Sequence, residues 1–144
     1  MKLVIQRVKR AKVTVKNKTV GKIGRGLVVL VGVKIGDGGE VIEKMAEKVL
    51  KMRIFENQDN KFDQSIEDVK GEILVVPQFT LYAELEGRRP YFGEAAKPEI
   101  AKPLFKKLIM ELKRSGLKIE SGVFGAKMEV ELVNNGPVTI IAEA

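Results

Sequence analysis

Three short stretches of the chain carry more chemically useful residues than a scaffold requires. They are PQFTLYA at residues 77–83, GVFGAKM at residues 122–128 and NNGPVT at residues 134–139. Thr80 supplies a hydroxyl, but a free threonine is a weak nucleophile at neutral pH when no base lies beside it. On the residues alone, a strand threonine that pairs with its neighbours is the simpler interpretation. Gln78 suits either substrate orientation or a solvent-facing position, and Phe79 suits either base stacking or the core.

The Gly136-Pro137 pair stands between two runs that have the pattern of neighbouring strands. Proline cannot donate a backbone hydrogen bond, and it restricts the residue before it. One interpretation is a hairpin whose second strand begins with proline, where the missing donor does little harm. The alternative is that this stretch of backbone is itself a binding surface.

The composition removes the commonest catalytic side chains. The 144 residues include no cysteine and no histidine. Triads built on histidine, Cys-His pairs and the usual zinc sites are excluded, and the acidic residues of RIFENQDNKFD do not follow the spacing of a calcium loop. Any chemistry must come from carboxylates, hydroxyls, lysines, backbone groups or the substrate itself, and we expect neither a cofactor nor a metal.

The balance of charged residues favours polyanionic partners. The 26 Lys and Arg residues against 19 Asp and Glu residues give a net charge of +7 and make nucleic acid the leading candidate. A lysine- and glutamate-rich surface of the kind found in heat-adapted proteins fits the same numbers. GRRPYF at residues 87–92 places Arg88 and Arg89 beside two aromatic residues in a predicted loop. This chemistry suits phosphates and exposed bases, or an ordinary solvated loop.

The hydrophobic pattern predicts a single α+β domain with two helices packed against a mixed sheet. Short β-rich segments open the chain as a meander with a reversal at Asn17-Lys18, and GLVVLVGV has the pattern of a central strand covered on both faces. Apolar residues recur with helical spacing from Glu40 to about Ile54 and from about Pro98 to Arg114, where Pro103 marks either a later start or a kink. EILVVPQFTLYA, KMEVELV and PVTIIA are the remaining predicted strands, and Pro77 must lie at an edge, a bulge or a strand end.

No segment has the properties of a membrane or export signal. MKLVIQRVKR has too short an apolar stretch for a signal peptide, and GLVVLVGVKIG is too short to span a bilayer. The absence of cysteine fits a reducing compartment. We therefore expect a soluble intracellular protein with no membrane partner.

An ordered set of motifs along nearly the whole chain resembles the D-aminoacyl-tRNA deacylases, the D-tyrosyl-tRNA deacylase family. The set comprises QRV, GLVVLVGV, LKMRIFEN, LVVPQFTLYA, GRRPYF and SGVFGAKMEVELVNNGPVT. The family's Asn-x-Gly-Pro-Val-Thr signature is complete from Asn134 to Thr139, and its Ser-Gln-Phe-Thr-Leu signature is matched from Gln78 to Leu81, with Pro77 in place of serine. The resemblance implies a cytoplasmic homodimer with a barrel-like sheet. It also implies hydrolysis of the ester at the acceptor end of D-aminoacyl-tRNA, and of glycyl-tRNA, without a cofactor.

The same resemblance implies roles for individual residues. Gln78, Phe79 and Thr80 would form the catalytic segment, where backbone donors stabilise the oxyanion and the RNA 2′-hydroxyl assists the attacking water. A cis Gly136-Pro137 pair would reach across the dimer and hold the α-ammonium so that L side chains are excluded. The other implied site residues are Asn134 of the same motif, Phe124, Ala126 and Met128 in the pocket wall, and Arg7 as a brace for the Gly-Pro loop. Arg88 and Arg89 are predicted RNA contacts on the chemistry of their own loop.

Two rival functions are compatible with the sequence. One is a stand-alone editing domain like the one attached to archaeal threonyl-tRNA synthetases, which removes L-serine. The other is a basic RNA-binding module without catalysis, favoured by the charge and by the lack of a conventional acid or base. In having proline at position 77, the chain also resembles a sister group of deacylases with relaxed chiral selectivity.

Overall fold

The computed structural model describes residues 1–144, and its secondary structure comprises eight strands and two α-helices. In chain order these are β1 (Lys2–Val15), β2 (Lys18–Ile23), β3 (Gly26–Gly32), α1 (Gly39–Lys51), β4 (Phe55–Glu56), β5 (Phe62–Gln64), β6 (Glu72–Pro77), α2 (Pro98–Lys113), β7 (Ile119–Ser121) and β8 (Glu129–Glu143). A short 3₁₀ turn, Phe79–Tyr82, follows β6. Neither α-helix is long and apolar enough to cross a membrane.

The long strand β1 organises the sheet. Its first half pairs with β3 and its second half with β2, while β8 runs antiparallel along its other edge. β6 and β7 continue the sheet beyond β3 in parallel, so the sheet is mixed, as the sequence predicts. A Cβ on Gly21 of β2 would lie 2.9 Å from the carbonyl oxygen of Ser121 in β7. This close approach of β2 and β7 curls the sheet into a nearly closed barrel.

Apolar residues cover both faces of the sheet. Leu27, Val29 and Val31 of β3 belong to a core shared with α1 and α2, whereas Val28 belongs to a second, smaller core inside the barrel. Successive side chains along a strand point to opposite faces, which explains how one strand serves both cores. The prediction of a central strand covered on both sides is confirmed.

The opening strands differ from the predicted meander. β1 is one continuous strand, and the reversal into β2 is made by Lys16 and Asn17, whose φ angles are 49° and 64°. Two consecutive positive φ angles are typical of a type I′ turn, whose twist matches that of the flanking strands. β3 pairs with β1 and not with β2, because β1 is long enough to carry both as neighbours.

The helix boundaries follow the predictions with one correction. α1 ends at Lys51 instead of near Ile54, and the next residue already has an extended ψ of 125°. The carbonyl of Ile54 accepts a hydrogen bond from Arg7 outside the helix, and the chain then forms the β4–β5 hairpin, which the sequence did not reveal. α2 begins at Pro98 and continues through Pro103, which loses one backbone hydrogen bond without ending the helix.

The last strand contradicts the hairpin interpretation of Gly136-Pro137. The two runs around this pair are halves of the single strand β8, and both halves pair with β1. The paired residues step from Val8 to Gln6 along β1, while they step from Asn134 to Thr139 along β8. The extra residues of β8 leave the ladder as a large bulge in which Gly136-Pro137 is exposed. We call residues 134–139 the Gly-Pro bulge.

Candidate active site

A cleft of about 490 Å³ opens where the parallel strands β3 and β6 end. Parallel strands bring their carboxyl ends to the same edge of a sheet, so Val31 of β3 and Pro77 of β6 are paired there. The amide of Gln78 donates to the carbonyl oxygen of Val31 at 2.7 Å, which holds the chain against β3 for one more residue before the 3₁₀ turn. The start of α2 contributes another wall, and so do Phe124, Gly125, Ala126, Met128 and Val130.

The cleft unites two of the three stretches that the sequence singled out. The predicted site residues that line it are Gln78, Phe79, Phe124, Ala126 and Met128. Phe79 is 57% exposed and its ring meets the ring of Phe92 in an edge contact, with centroids 5.0 Å apart, so it forms the mouth. Phe124 packs near Phe105 of α2, with centroids 6.0 Å apart, and forms part of the inner wall.

The walls of the cleft contain no ionisable side chain. Eleven of the 15 lining residues are hydrophobic, and the other four are Pro77, Gln78, Pro98 and Gly125. Thr80 is exposed and lies outside the lining, and its hydroxyl accepts a hydrogen bond from the Gln78 side-chain amide. This partner is a donor and not a base, so it does not activate the hydroxyl. Across the chain, no three acidic side chains are grouped so that they could hold a metal ion.

Backbone donors lie at the mouth of the cleft. Phe79 and Thr80 open the 3₁₀ turn, and the first amides of a helical turn have no acceptor inside it. Leu81 is the first residue of the turn whose amide is bonded back, to the carbonyl of Gln78 at 3.2 Å. Two adjacent N–H groups beside an apolar cleft suit the stabilisation of negative charge on a reacting carbonyl oxygen.

Sequence reasoning missed the contribution of α2 to the cleft, whereas Gly122 belongs to the GVFGAKM stretch that the sequence singled out. Pro98, Ala101 and Phe105 line the cleft, but their helical spacing marks them only as core residues. A Cβ on Gly122 would lie 2.6 Å from the sulfur of Met128, so glycine leaves room for the Met128 side chain in the wall. One sequence signal could have indicated this role of α2. Ala101 is small, whereas most of its neighbours on the apolar face of the helix are bulky, so the helix leaves space for the cleft at this position.

Arg7 holds the base of the Gly-Pro bulge. Its side chain is buried. The guanidinium donates to the carbonyl oxygens of Asn135, at 3.0 Å, and Ile54, at 2.9 Å, and to the Glu56 carboxylate, at 3.2 Å. These contacts tie the bulge to the segment between α1 and β4.

Asn134 connects the two ends of the bulge. Its side-chain oxygen accepts from the amide of Val138 at 2.8 Å, and its side-chain nitrogen donates to the Thr139 hydroxyl at 2.9 Å. Gly136 has a φ of 135°, a conformation that a side chain would strain, and the Gly136-Pro137 bond is cis. The bulge is thus a braced and exposed backbone feature, and none of its residues lines the cleft of the same chain.

Arg88 and Arg89 lie in an exposed loop, as predicted, and this loop adjoins the cleft. Glu84 and Tyr91 exchange two backbone hydrogen bonds, of 2.8 and 3.0 Å, and the arginines lie between them. Neither arginine forms an ion pair. Because Phe92 meets Phe79, the loop is anchored at the cleft mouth.

The buried hydroxyl of Tyr82 has no hydrogen-bond partner. Burial raises the pKa of Tyr82, and the negative charge of Asp37 adds to this effect. The hydroxyl therefore stays protonated at neutral pH. Tyr82 lies outside the cleft lining, so it adds no acid or base to the cleft.

Known proteins resemble this chain over its full length. The family model described as D-Tyr-tRNA(Tyr) deacylase matches residues 4–143. A D-aminoacyl-tRNA deacylase of Aquifex aeolicus (strain VF5) is 54% identical, with 100% of this chain and 98% of the relative covered. Another, from Halalkalibacterium halodurans, is 51% identical, with 100% and 99% covered.

Two solved structures share the fold. One, of a protein named c-Myc DNA Unwinding Element Binding Protein, has a TM-score of 0.94 at 41% identity and covers 100% of this chain and 99% of its own. The other, of a probable eukaryotic D-amino acid tRNA deacylase, has a TM-score of 0.87 at 20% identity and covers 98% and 97%. The second likeness concerns the fold alone.

Proposed function

This chain belongs to the D-Tyr-tRNA(Tyr) deacylase family and is a hydrolase that acts on aminoacyl-tRNA, and from that premise we propose that the cleft beside Phe79 binds the aminoacylated acceptor end. Water adds to the ester carbonyl carbon, the bond to the RNA 3′-oxygen breaks, and that oxygen takes up a proton. The products are the free amino acid and tRNA. The names of the full-length relatives favour this reaction over an L-serine editing domain and over a non-catalytic module.

The observation that carries the mechanism is the absence of an ionisable side chain from the cleft wall. A proton acceptor must then come from the substrate, and the 2′-hydroxyl of the terminal adenosine lies next to the ester. This hydroxyl assists the attacking water, while the amides of Phe79 and Thr80 stabilise the oxyanion. Gln78 supports the turn that presents these amides through its hydrogen bond to Thr80.

Chiral selection is assigned to the Gly-Pro bulge of a second subunit. The bulge is exposed, is braced by Arg7 and Asn134, and does not line its own cleft. A homodimer that places this bulge over the partner's cleft would complete the site. The carbonyls of Gly136 and Pro137 then hold the α-ammonium, and an L side chain collides with the wall.

The wall that excludes L side chains is formed by Phe124, Ala126 and Met128. Glycine has a hydrogen in place of the side chain, so the same geometry admits glycyl-tRNA. Selection by exclusion leaves the range of D side chains broad. Pro77, which lines the cleft where the family has serine, contributes no hydroxyl and no amide hydrogen to it.

The RNA contacts are assigned to the cleft mouth. The exposed ring of Phe79 frames the terminal adenosine, and Arg88 and Arg89 contact phosphates of the acceptor end. Because the substrate is charged tRNA, we place this proofreading activity in the cytoplasm.

Binding of DNA is a second candidate activity. It is suggested by the name of the 41% identical protein whose structure is solved, and the net charge of +7 is compatible with it. Competition separates the two ligands: DNA that binds the cleft mouth inhibits deacylation, whereas DNA bound elsewhere does not.

The decisive experiment compares hydrolysis of D-tyrosyl-, L-tyrosyl-, glycyl- and L-seryl-tRNA at substoichiometric enzyme. We expect turnover of the D-tyrosyl and glycyl substrates and none of L-tyrosyl-tRNA. A D-tyrosyl substrate that ends in 2′-deoxyadenosine should react at least about a hundredfold more slowly, since general acid–base assistance is typically worth that much. An unchanged rate on the deoxy substrate would refute the role of the 2′-hydroxyl, and cleavage of L-seryl-tRNA alone would identify an editing domain.

A further inference from the structure

A second cavity, of about 230 Å³, lies beside the base of the Gly-Pro bulge, and the mechanism proposed above makes no use of it. Six of its eight lining residues are polar: Arg7, Arg25, Glu56, Asn57, Asn60 and Asn135. The cleft described above has the opposite character, with 11 hydrophobic residues in its lining. The two cavities therefore suit different ligands.

Arg7 contributes a buried positive charge to the cavity, and some of its N–H groups have no hydrogen-bond partner. The side chain is 5% exposed. A guanidinium has five N–H groups, and hydrogen bonds to Asn135, Ile54 and Glu56 use three of them. The two that remain lie in a group that lines the cavity, and buried donors generally find an acceptor.

Arg25 adds a second guanidinium to the same cavity. It is exposed and forms no ion pair, and its guanidinium lies 5.4 Å from the centroid of the Phe55 ring, which limits its orientation. Glu56 is the only acidic side chain in the lining, so two positive charges face one negative charge. The cavity keeps an excess of positive charge.

The asparagines add further donors. The side-chain oxygen of Asn57 already accepts hydrogen bonds from the amides of Asp59, at 2.8 Å, and Lys61, at 3.2 Å. The side-chain NH₂ group of Asn57 is therefore the group that can donate a hydrogen bond to a ligand. Asn60 has a φ of 56° at the tip of the β4–β5 hairpin and also lines the cavity. Guanidinium and amide donors with an excess positive charge match the oxygens of a tetrahedral oxoanion.

We propose that this cavity is an oxoanion subsite that binds a phosphate group. Two sources offer that group: the backbone of an RNA substrate and free inorganic phosphate. Because Arg7 also holds the carbonyl of Asn135, the bound phosphate lies next to the Gly-Pro bulge. The subsite requires only the residues of one chain.

Titration with inorganic phosphate tests the subsite directly. Binding is followed by ³¹P NMR or calorimetry at constant ionic strength, with chloride as the balancing anion. We expect saturable binding that weakens roughly tenfold in Arg25→Gln, because a charged hydrogen bond is lost. Asn60→Gly keeps the positive φ but removes the amide, and it should weaken binding by a smaller factor.

Lys18→Gln is the matched control, because it removes the same charge from an exposed residue outside the cavity. Its phosphate affinity should equal that of the wild type. Absence of saturable binding, or an equal loss in Lys18→Gln and Arg25→Gln, would overturn the proposal.

A kinetic arm identifies the source of the phosphate, and this arm alone rests on the proposed deacylase function. In phosphate-free buffer, a raised KM for D-aminoacyl-tRNA with unchanged kcat in Arg25→Gln identifies the RNA backbone as the source. An unchanged KM, with wild-type activity that responds to added phosphate, identifies the free anion. If no aminoacyl-tRNA is hydrolysed at all, the proposed function fails while the titration still decides the subsite.

Discussion

The role of Thr80 distinguishes a mechanism with a side-chain nucleophile from a mechanism assisted by the substrate. Its hydroxyl accepts a hydrogen bond from Gln78 and has no base to remove its proton. The motif from Gln78 to Leu81 marked this segment as a candidate site from the sequence alone. A sequence motif can be matched without any knowledge of the fold. The same reasoning missed Pro98 and Ala101, which line the cleft from a helix. Apolar residues of a helix have the same sequence pattern whether they line a cleft or pack in the core, and only the position of the helix over the sheet distinguishes the two.

Thr80→Val removes the hydroxyl and keeps the shape of the side chain. Loss of one hydrogen bond at an exposed position is worth about 0.5–1.5 kcal/mol, which corresponds to a decrease of roughly tenfold or less in kcat/KM. Loss of a catalytic nucleophile would instead lower kcat by several orders of magnitude, about 10⁴ or more. Single-turnover hydrolysis of D-tyrosyl-tRNA distinguishes these magnitudes, and a loss in the larger range with an unchanged melting temperature would restore Thr80 as the nucleophile.

At the scale of elements, the helices and the central strand were predicted because each has a hydrophobic pattern of its own. β4, β5 and β7 contain only two or three residues, which is too few for a period to appear. The runs on either side of the Gly-Pro bulge were predicted as two neighbouring strands, and not as one strand, for a related reason. Asn-Asn-Gly is a strong local turn signal, whereas the pairing of both halves of β8 with β1 joins residues far apart in sequence.

The bulge should depend on Asn134 more than on any other side chain within it. Asn134→Ala removes the acceptor of the Val138 amide and the donor to Thr139, so the ends of the bulge separate more easily. We expect faster hydrogen exchange at the Val138 amide and a roughly ten- to hundredfold loss of D-tyrosyl-tRNA hydrolysis, since two hydrogen bonds together contribute about 1–3 kcal/mol.

Thr139→Val is the matched control for the Asn134 variant, because it keeps the acceptor of the Val138 amide and removes only the bonds to the Thr139 hydroxyl, from Asn134 at 2.9 Å and from Gln6 at 3.4 Å. The Val138 amide should keep its protection there, and activity should fall less. Unchanged exchange in Asn134→Ala would show that the hydrogen bonds of Asn134 do not hold the bulge.

At the scale of the whole molecule, the cleft and the Gly-Pro bulge are separate features of one chain. Strand β8 contributes to both features. Val130, near its start, lines the cleft, and the Gly-Pro bulge interrupts its middle. β8 pairs only with β1, so its outer edge is open to a partner. A two-fold arrangement in which each bulge enters the other cleft creates two equivalent sites, and neither site then belongs to one subunit.

This arrangement predicts complementation between two inactive variants. Ala126→Phe fills the cleft, because Ala126 lies in its wall. Gly136→Val distorts the bulge, because φ is 135° there and an added Cβ would lie 2.7 Å from the side chain of Val138. Each pure variant should be inactive, whereas subunits mixed after unfolding and refolding form heterodimers in which one site combines the intact cleft with the intact bulge. Statistical mixing should restore about a quarter of the wild-type sites, measured as D-tyrosyl-tRNA hydrolysis. If each cleft worked with the bulge of its own chain, both sites of every heterodimer would carry a lesion, and the mixture would stay inactive although the mass in solution showed a dimer.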